Sequence, residues 1–283
     1  MDNTTIRLIA LDLDDTTLRS DGTLAPETKT AIERAIAEGI EIVVASGRAF
    51  TALPKEVVSI PGINYAVTSN GAAVYKLPEG KRVKAYDVPE DAVMKILDIV
   101  KPYGEDIAVE AFVDGQPYTS QGHIDDPVKY GSSPAYVGYV QKTRISVDDI
   151  YSFSEENRKN IDSMVVVCPD AEMREEIRAK IAGSAEGVRM TTSVKHLTEI
   201  IGSDAGKDSG LKYVCADLGI TARETAAVGN ADNDIDMIKF AYIGAAVSNS
   251  SANCLAAADM IIGSSNDNGT ADFINEICDG KIK

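Results

Sequence analysis

Three carboxylates follow directly on a short apolar run near the start of the chain. Residues 6–11 predict a buried strand, and Asp12, Asp14 and Asp15 come immediately after it. Carboxylates that lie close together repel one another and lose hydration, so such a cluster needs compensation, usually from a cation. Because residues i and i+2 of an extended segment point to the same side, Asp12 and Asp14 can face one site. A plain turn with solvated acids would use the same residue types.

Two further segments have the residue types that bind phosphate. Ser46-Gly47-Arg48 follows a second apolar run, where a hydroxyl and the backbone amides of a helix N-terminus can hold phosphate oxygens. Lys207 stands at the start of a predicted helix, where the helix dipole disfavours a cation unless an anion lies nearby. The alternatives to phosphate binding are an ordinary turn at Ser46-Gly47-Arg48 and a solvent-exposed surface position for Lys207.

A fourth polar segment, residues 229–234 with the sequence Gly-Asn-Ala-Asp-Asn-Asp, ends another predicted strand and opens a helix. An N-cap at Asn230 or Asp232 would explain one of these polar residues and leave the others unexplained. Open parallel sheets bind ligands beyond the carboxyl ends of their strands, so the four segments can share one site.

Composition narrows the class of protein. With 44 acidic and 28 basic residues among 283, the formal net charge is −16, which repels polyphosphate backbones and anionic membranes. We therefore expect neither nucleic acid nor a membrane as partner. Residues 1–5 lack the layout of a signal peptide, and no apolar run is long enough to span a bilayer. Four scattered cysteines are typical of reduced thiols, which predicts a cytoplasmic protein.

The order of strands and helices predicts an α/β fold. Short apolar strands alternate with helices at both ends of the chain, which indicates a three-layer, doubly wound parallel sheet. The middle changes to hairpins and an α+β pattern rich in tyrosine, which indicates an inserted unit. We predict a core domain at 1–84, an inserted cap domain at 85–191 and the second part of the core at 192–283.

The motifs together resemble those of the haloacid dehalogenase-like hydrolases, and specifically the Cof-type phosphatases with a large α/β cap. The segments that carry the resemblance, in chain order, are Asp12-Leu13-Asp14-Asp15-Thr16, Ser46-Gly47-Arg48, Ser69-Asn70-Gly71-Ala72, Glu199-Ile200 through Lys207, and residues 229–234. They span both predicted parts of the core, whereas the cap is matched only by its position and size. Their ordered occurrence is far more specific than any one of them.

The resemblance implies a Mg²⁺-dependent phosphatase with a Rossmann-like core, acting on small phosphorylated metabolites, sugar phosphates first. Asp12 would attack phosphorus and form an aspartyl-phosphate, Asp14 would act as acid and then base, and Lys207 would offset charge in the transition state. The implied Mg²⁺ ligands are Asp12, Asp14, Asn230 and Asp234. The implied phosphate- and substrate-binding residues are Thr16, Ser46, Gly47, Arg48 and Asn233.

Two positions depart from the family pattern. Asp15 stands where the family usually has glycine, at a turn where positive φ is uncommon for other residues although aspartate tolerates it. Asn230 stands where the family usually has a metal-binding aspartate, and its neutral amide should hold Mg²⁺ more weakly. Asp234, one helical turn further on, lies on the same face and can compensate. Asp232 is a weaker substitute.

Two other functions remain open from the sequence. A phosphomutase would use the same aspartyl-phosphate chemistry but return the phosphoryl group to its product. A degenerate core kept as a binding module is favoured by Asp15 and Asn230, and is opposed by the presence of Asp12, Asp14 and Lys207. The sequence leaves the particular substrate and the oligomeric state undetermined.

Overall fold

The computed structural model describes residues 5–282. Residues 1–4 and 283 lie outside the described part. The prediction that residues 1–5 do not form a signal peptide therefore concerns residues that, apart from Thr5, the structure does not describe.

The strands of the described residues alternate with helices at both ends of the chain, as the sequence predicts. In chain order they are β1 (Leu8–Leu11), β2 (Glu41–Ala45), β3 (Ile63–Thr68), β4 (Ala73–Lys76), β5 (Lys81–Ala85), β6 (Ala108–Val113), β7 (Gln116–Ser120), β8 (Ile145–Val147), β9 (Ile161–Val167), β10 (Val188–Thr191), β11 (Leu197–Gly202), β12 (Thr225–Gly229), β13 (Ile243–Val247) and β14 (Met260–Ile262).

The α-helices of the described residues range from one turn to about four. In chain order they are α1 (Pro26–Ala37), α2 (Lys55–Val58), α3 (Glu90–Val100), α4 (Gln121–Asp125), α5 (Val137–Thr143), α6 (Ile150–Glu156), α7 (Ala171–Ser184), α8 (Lys207–Leu218), α9 (Ile235–Phe240), α10 (Ala252–Ala257) and α11 (Gly269–Cys278). None of the described helices is both long and apolar enough to cross a membrane.

Among the described residues, the chain divides into two compact units. The first contains the described residues up to 47, residues 53–84 and those from 206 onward, and the second contains residues 48–52 and 85–205. The segment 192–205, predicted as part of the core, lies in the second unit because β11 pairs with β9 and β10 there. Whether the two units fold as separate domains stays a prediction.

The first unit is built on one eight-stranded sheet with the order β14-β13-β12-β1-β2-β3-β4-β5. The strands from β14 to β3 are parallel, and β4 turns back antiparallel to β3. All four residues of β1 are buried, and Leu8 and Ala10 pack with Leu211 of α8 and Met237 of α9. Continuous apolar strands of this kind are typical of a parallel sheet covered on both faces.

The register of β1 places the first acidic motif in the middle of the carboxyl edge. Leu11 pairs with Val228 of β12 on one side and with Val44 of β2 on the other. Asp12 therefore follows β1 at the level where β2 and β12 also end.

The second unit holds a mainly antiparallel six-stranded sheet with the order β10-β11-β9-β6-β7-β8, in which only β7 and β8 pair in parallel. One face packs against α3 and α7 through a core that includes Val93, Ile96, Met164 and Ile177. The observed sheets match the predicted α/β class with an additional α+β unit.

Close packing of α8 on the core sheet generates a stability prediction at Gly210. A Cβ at this position would stand 2.4 Å from Cγ1 of Val67, a fully buried residue of β3. We expect Gly210→Ala to lower the free energy of unfolding by about 1–3 kcal/mol through overpacking. This exceeds the gain of about 1 kcal/mol in helix propensity.

Gly183→Ala is the matched control, because a Cβ on that glycine of α7 meets no atom within 4 Å. Its thermal midpoint should stay unchanged or rise. A midpoint for Gly210→Ala at or above that of the wild type would contradict the packing described here.

Candidate active site

The loop after β1 fixes the backbone of Asp12 at the edge of the sheet. Its N–H donates to the Val228 carbonyl (3.0 Å), and its carbonyl accepts from the Thr17 hydroxyl (2.6 Å). The chain then turns at Asp15, whose φ of 56° is left-handed. Asn249 donates to the Asp15 carbonyl (2.9 Å) and holds the turn from outside. Asp15 thus adopts the conformation that glycine favours, which aspartate tolerates better than most residues.

Lys207 joins two of the predicted acidic residues. Its Nζ donates to Oδ1 of Asp12 and to Oδ1 of Asp234, each at 2.6 Å, and its side chain has no exposed surface. Lys207 is the first residue of α8, where the helix dipole alone disfavours a cation. The conflict noted from the sequence is relieved here by two carboxylates of the protein.

Asp234 also closes the loop after β12. Its Oδ2 accepts from the backbone N–H groups of Asn230 (2.9 Å) and Ala231 (3.0 Å). A Cβ on Gly229 would stand 2.4 Å from Cβ of Asp234, so the tight approach requires glycine there. Three hydrogen bonds thus occupy most of the acceptor capacity of Asp234.

The two other polar residues of this loop differ in what they contact. Asp232 accepts from Ser251 (2.7 Å) and from Asn253 (3.0 Å) and thereby ties the loop to α10. The Asn230 side chain makes no hydrogen bond to any residue within 5–282, although its backbone N–H is held by Asp234. Its amide oxygen is therefore available to a ligand.

Ser46 lies at the end of β2 with no exposed surface, and its N–H donates to the Val67 carbonyl (2.9 Å). Its own carbonyl accepts from the N–H of Asn70 (3.1 Å), and the side-chain oxygen of Asn70 accepts from Nδ2 of Asn233 (2.9 Å). The structure therefore links the second motif to the fourth through Asn70.

Asn70 is a candidate that sequence reasoning missed. The segment from Ser69 to Ala72 carried part of the family resemblance, but no chemistry was assigned to it. One feature of the sequence pointed to a special backbone there, namely an Asn-Gly pair that follows shortly after the predicted strand ending at Thr68.

The remaining predicted residues are placed differently. Asp14 and Gly47 are half-buried, and Thr16 is buried with its carbonyl accepting from Thr270 (2.8 Å). The hydroxyl of Thr16 is buried without a hydrogen-bond partner among the described residues. Arg48 belongs to the second unit, where it donates to the Ala52 carbonyl (3.3 Å) and lies over the Tyr139 ring.

Burial dominates the electrostatics at Asp12. Desolvation raises the pKa of Asp12 from 3.8 to about 7, the Asp234 charge adds to the increase, and Lys207 opposes it. Burial alone would lower the pKa of Lys207, but the Asp12 and Asp234 charges outweigh it and raise that pKa. Asp12 is thus costly to ionise while Lys207 stays protonated. Asp12 and Asp234 share one buried lysine as counter-charge.

The donor set suits a hard divalent cation. Carboxylate, amide and backbone carbonyl oxygens are the ligands that Mg²⁺ prefers, and they are present at Asp12, Asp14 and Asn230. Within residues 5–282, no three His, Cys, Asp or Glu side chains are grouped to hold a metal by themselves. The residues fit Mg²⁺ only if amide or backbone oxygens complete the site.

The raised pKa of Asp12 predicts how stability depends on pH in the metal-free protein. A carboxyl whose pKa is higher in the folded state contributes stability below its unfolded pKa, and this is lost as pH rises through the folded value. We expect Asp12→Asn to raise the melting temperature at pH 8. The gain should shrink as pH falls from about 7 towards 4.

The measurement is a series of thermal melts between pH 4 and 8 with a chelator present. Asp98→Asn, which removes an exposed carboxylate of α3, is the control and should give a small difference. A pH-independent difference for Asp12→Asn would contradict the burial cost assigned to Asp12.

Comparisons with known proteins identify the family of this chain. The family model described as haloacid dehalogenase-like hydrolase matches residues 9–274. The phosphatase YwpJ of Bacillus subtilis (strain 168) is 27% identical, and the match covers 96% of this chain and 100% of the relative. The 5-amino-6-(5-phospho-D-ribitylamino)uracil phosphatase YitU of the same organism is 26% identical, with coverage of 95% and 96%.

A solved structure shows the same fold. The sugar phosphatase BT4131, described as a subclass IIB member of the superfamily, superposes with a TM-score of 0.82 at 17% identity, covering 96% of this chain and 99% of that one. These findings confirm the predicted family, the α/β fold with two sheets and the prediction of a hydrolase. The chain belongs to the haloacid dehalogenase-like hydrolases, in their Cof-type phosphatase branch.

Proposed function

We propose that this phosphatase hydrolyses phosphate monoesters of small metabolites, sugar phosphates first, through an aspartyl-phosphate on Asp12 and with Mg²⁺ as cofactor. The observation that carries the proposal is the buried bridge from Lys207 to Asp12 at the carboxyl end of the central strand. A desolvated carboxylate fixed at this edge is placed to act as a nucleophile.

Lys207 and Asp12 have complementary tasks in this proposal. Lys207 holds Oδ1 of Asp12, so the other carboxylate oxygen can attack phosphorus while the ester oxygen leaves. Lys207 remains positively charged throughout and offsets the charge that develops on the transferring oxygens.

Asp14 would handle the protons. It follows Asp12 by two residues and is half-buried, so it can reach a leaving group that solvent also reaches. It would protonate the leaving ester oxygen and then accept a proton from the water that hydrolyses the aspartyl-phosphate. Release of phosphate restores Asp12 as a carboxylate.

Mg²⁺ would be held by Asp12, the Asp14 backbone carbonyl and the loop after β12, through Asn230 and the remaining acceptor capacity of Asp234. When bound, the ion would draw off negative charge between the carboxylates and the phosphate. Members of this family generally depend on Mg²⁺. The excess of buried carboxylates over Lys207 supports the same requirement here.

Thr16, Ser46, Gly47 and Asn233 would contact the phosphate. The hydroxyl of Thr16 is buried without a partner among the described residues, and an unpaired buried donor indicates a group that awaits a ligand. Asn233 would donate its second N–H, because its amide oxygen can only accept and cannot hydrogen-bond a phosphate oxygen. Arg48 stays a predicted substrate-binding residue.

Relatives support the substrate class. The name of YitU specifies a substrate whose phosphate sits on a ribityl chain, and BT4131 is described as a sugar phosphatase. Both act on a phosphate attached to a small polyhydroxylated carbon chain. Sugar and sugar-alcohol phosphates are therefore the first compounds to test.

The direct test compares wild type with Asp12→Asn on para-nitrophenyl phosphate and on a panel of sugar phosphates at saturating Mg²⁺. We expect Asp12→Asn to lower kcat by about a thousandfold or more, because no other residue replaces the nucleophile. Asp98→Asn should retain wild-type rates. Equal rates for wild type and Asp12→Asn would refute the mechanism, and an isomeric phosphate product would indicate a mutase.

The amide at Asn230 predicts a high Mg²⁺ requirement. Restoring a carboxylate with Asn230→Asp adds a charge to the ligand set and should lower the half-saturating Mg²⁺ concentration by about tenfold. The measurement is a Mg²⁺ titration of phosphate release by both proteins at one substrate concentration. An unchanged half-saturating concentration would remove Asn230 from the proposed ligands.

A further inference from the structure

We propose that Asn70 is a positioning residue for phosphoryl transfer, which fixes the amide of Asn233 in one orientation. The proposal rests on the function proposed above and deepens it, since Asn233 is proposed there to contact the phosphate. Its basis is the hydrogen bond from Nδ2 of Asn233 to Oδ1 of Asn70 (2.9 Å), two residues that are 163 positions apart.

The backbone around Asn70 is held in an uncommon conformation. Ser69, Asn70 and Gly71 have φ values of 50°, 56° and 90°, so three consecutive residues are left-handed. This region disfavours residues other than glycine, and it persists only where surrounding contacts impose it. Asn70 is 3% exposed, so the strained turn is enclosed by the protein.

Contacts with Ser46 on one side and with the backbone at Gly206 and Lys207 on the other impose this conformation. The N–H of Asn70 donates to the Ser46 carbonyl (3.1 Å). A Cβ on Gly71 would stand 1.8 Å from the Gly206 carbonyl oxygen and 2.7 Å from the N of Lys207. The turn therefore packs between the second motif and the start of α8, and it presents the Asn70 side chain to Asn233.

The hydrogen bond decides what Asn233 presents to a ligand. A carbonyl oxygen can only accept, so Asn233 must turn its NH₂ group towards Oδ1 of Asn70, and the amide cannot flip without losing this bond. Oδ1 of Asn233 is then left buried and without a hydrogen-bond partner among the described residues. Asn233 thereby keeps one N–H and one oxygen in a fixed orientation.

Fixed orientation matters because a polar group aids transfer only when its geometry matches the transition state. Without Asn70, the Asn233 amide can rotate, and its contribution to the transition state falls. A merely structural turn would instead lower stability and leave the contribution of Asn233 intact. The two possibilities give different results in a double-mutant cycle.

Asn70→Gly isolates the side chain, since glycine adopts left-handed backbone readily while lacking the acceptor oxygen. We expect this variant to lower kcat/KM roughly tenfold, as for the loss of one hydrogen bond. Added to Asn233→Ala, the same substitution should change kcat/KM by less than about twofold, because the side chain it orients is already absent. Equal losses in both backgrounds would overturn the proposal.

Asn268→Gly is the matched control, because Asn268 is also a left-handed asparagine (φ 63°) but bonds Arg19 instead of a residue proposed to bind phosphate. Its kcat/KM should remain within about twofold of wild type. The melting temperatures of all variants separate loss of stability from loss of rate.

A second measurement does not depend on catalysis. In ¹⁵N-labelled protein, the side-chain NH₂ signals of Asn233, assigned by their loss in Asn233→Ala, should shift and exchange faster in Asn70→Gly. Unchanged signals would overturn the proposal even in an active enzyme. Absent phosphatase activity in the wild type would instead refute the proposed function and leave this spectral test decisive for Asn70.

Discussion

The buried ammonium group of Lys207 between Asp12 and Asp234 is the interaction on which the rest of the site depends. Charged groups in a protein interior are tolerated only when paired, and both carboxylates bond the same nitrogen at 2.6 Å. One lysine does not balance the neighbouring acidic side chains, so the pKa of Asp12 remains high. This imbalance ties the stability of the protein to the same cluster on which the proposed roles of Asp12 and Mg²⁺ depend.

The scaffold brings the loops of the candidate site close together at one edge of the sheet. Gly229 lets the backbone approach Asp234, and Gly71 lets the turn after β3 approach Lys207, since a Cβ at either position would overlap its neighbours. Asp15 and Asn70 adopt left-handed conformations in the same region. Left-handed residues and glycines are thus concentrated where the polar groups lie close together, as at many functional sites.

Most of the candidate site residues that the sequence predicted lie at the ends of predicted strands, and Lys207 lies at the start of a helix. Asp12, Ser46 and Asn230 each follow an apolar run. In an open parallel sheet, residues that follow the strands lie together at the carboxyl edge of the sheet. Asn70 escaped because asparagine before glycine is common in turns, so its residue type alone did not indicate chemistry. Arg48, although adjacent to Ser46 and Gly47, contacts Tyr139 in the second unit, which a strand-end pattern cannot reveal.

By itself, the sequence determined the fold class and the family, and it predicted the carboxyl edge where the candidate site lies, because continuous apolar runs and short motifs are local properties of the chain. Only the tertiary structure decided which polar groups meet. The bond between Lys207 and Asp12 spans 195 positions, and that between Asn233 and Asn70 spans 163. Such pairings follow from the strand order around β1 and from close backbone packing. Neither the strand order nor the packing can be read from a short segment of the sequence.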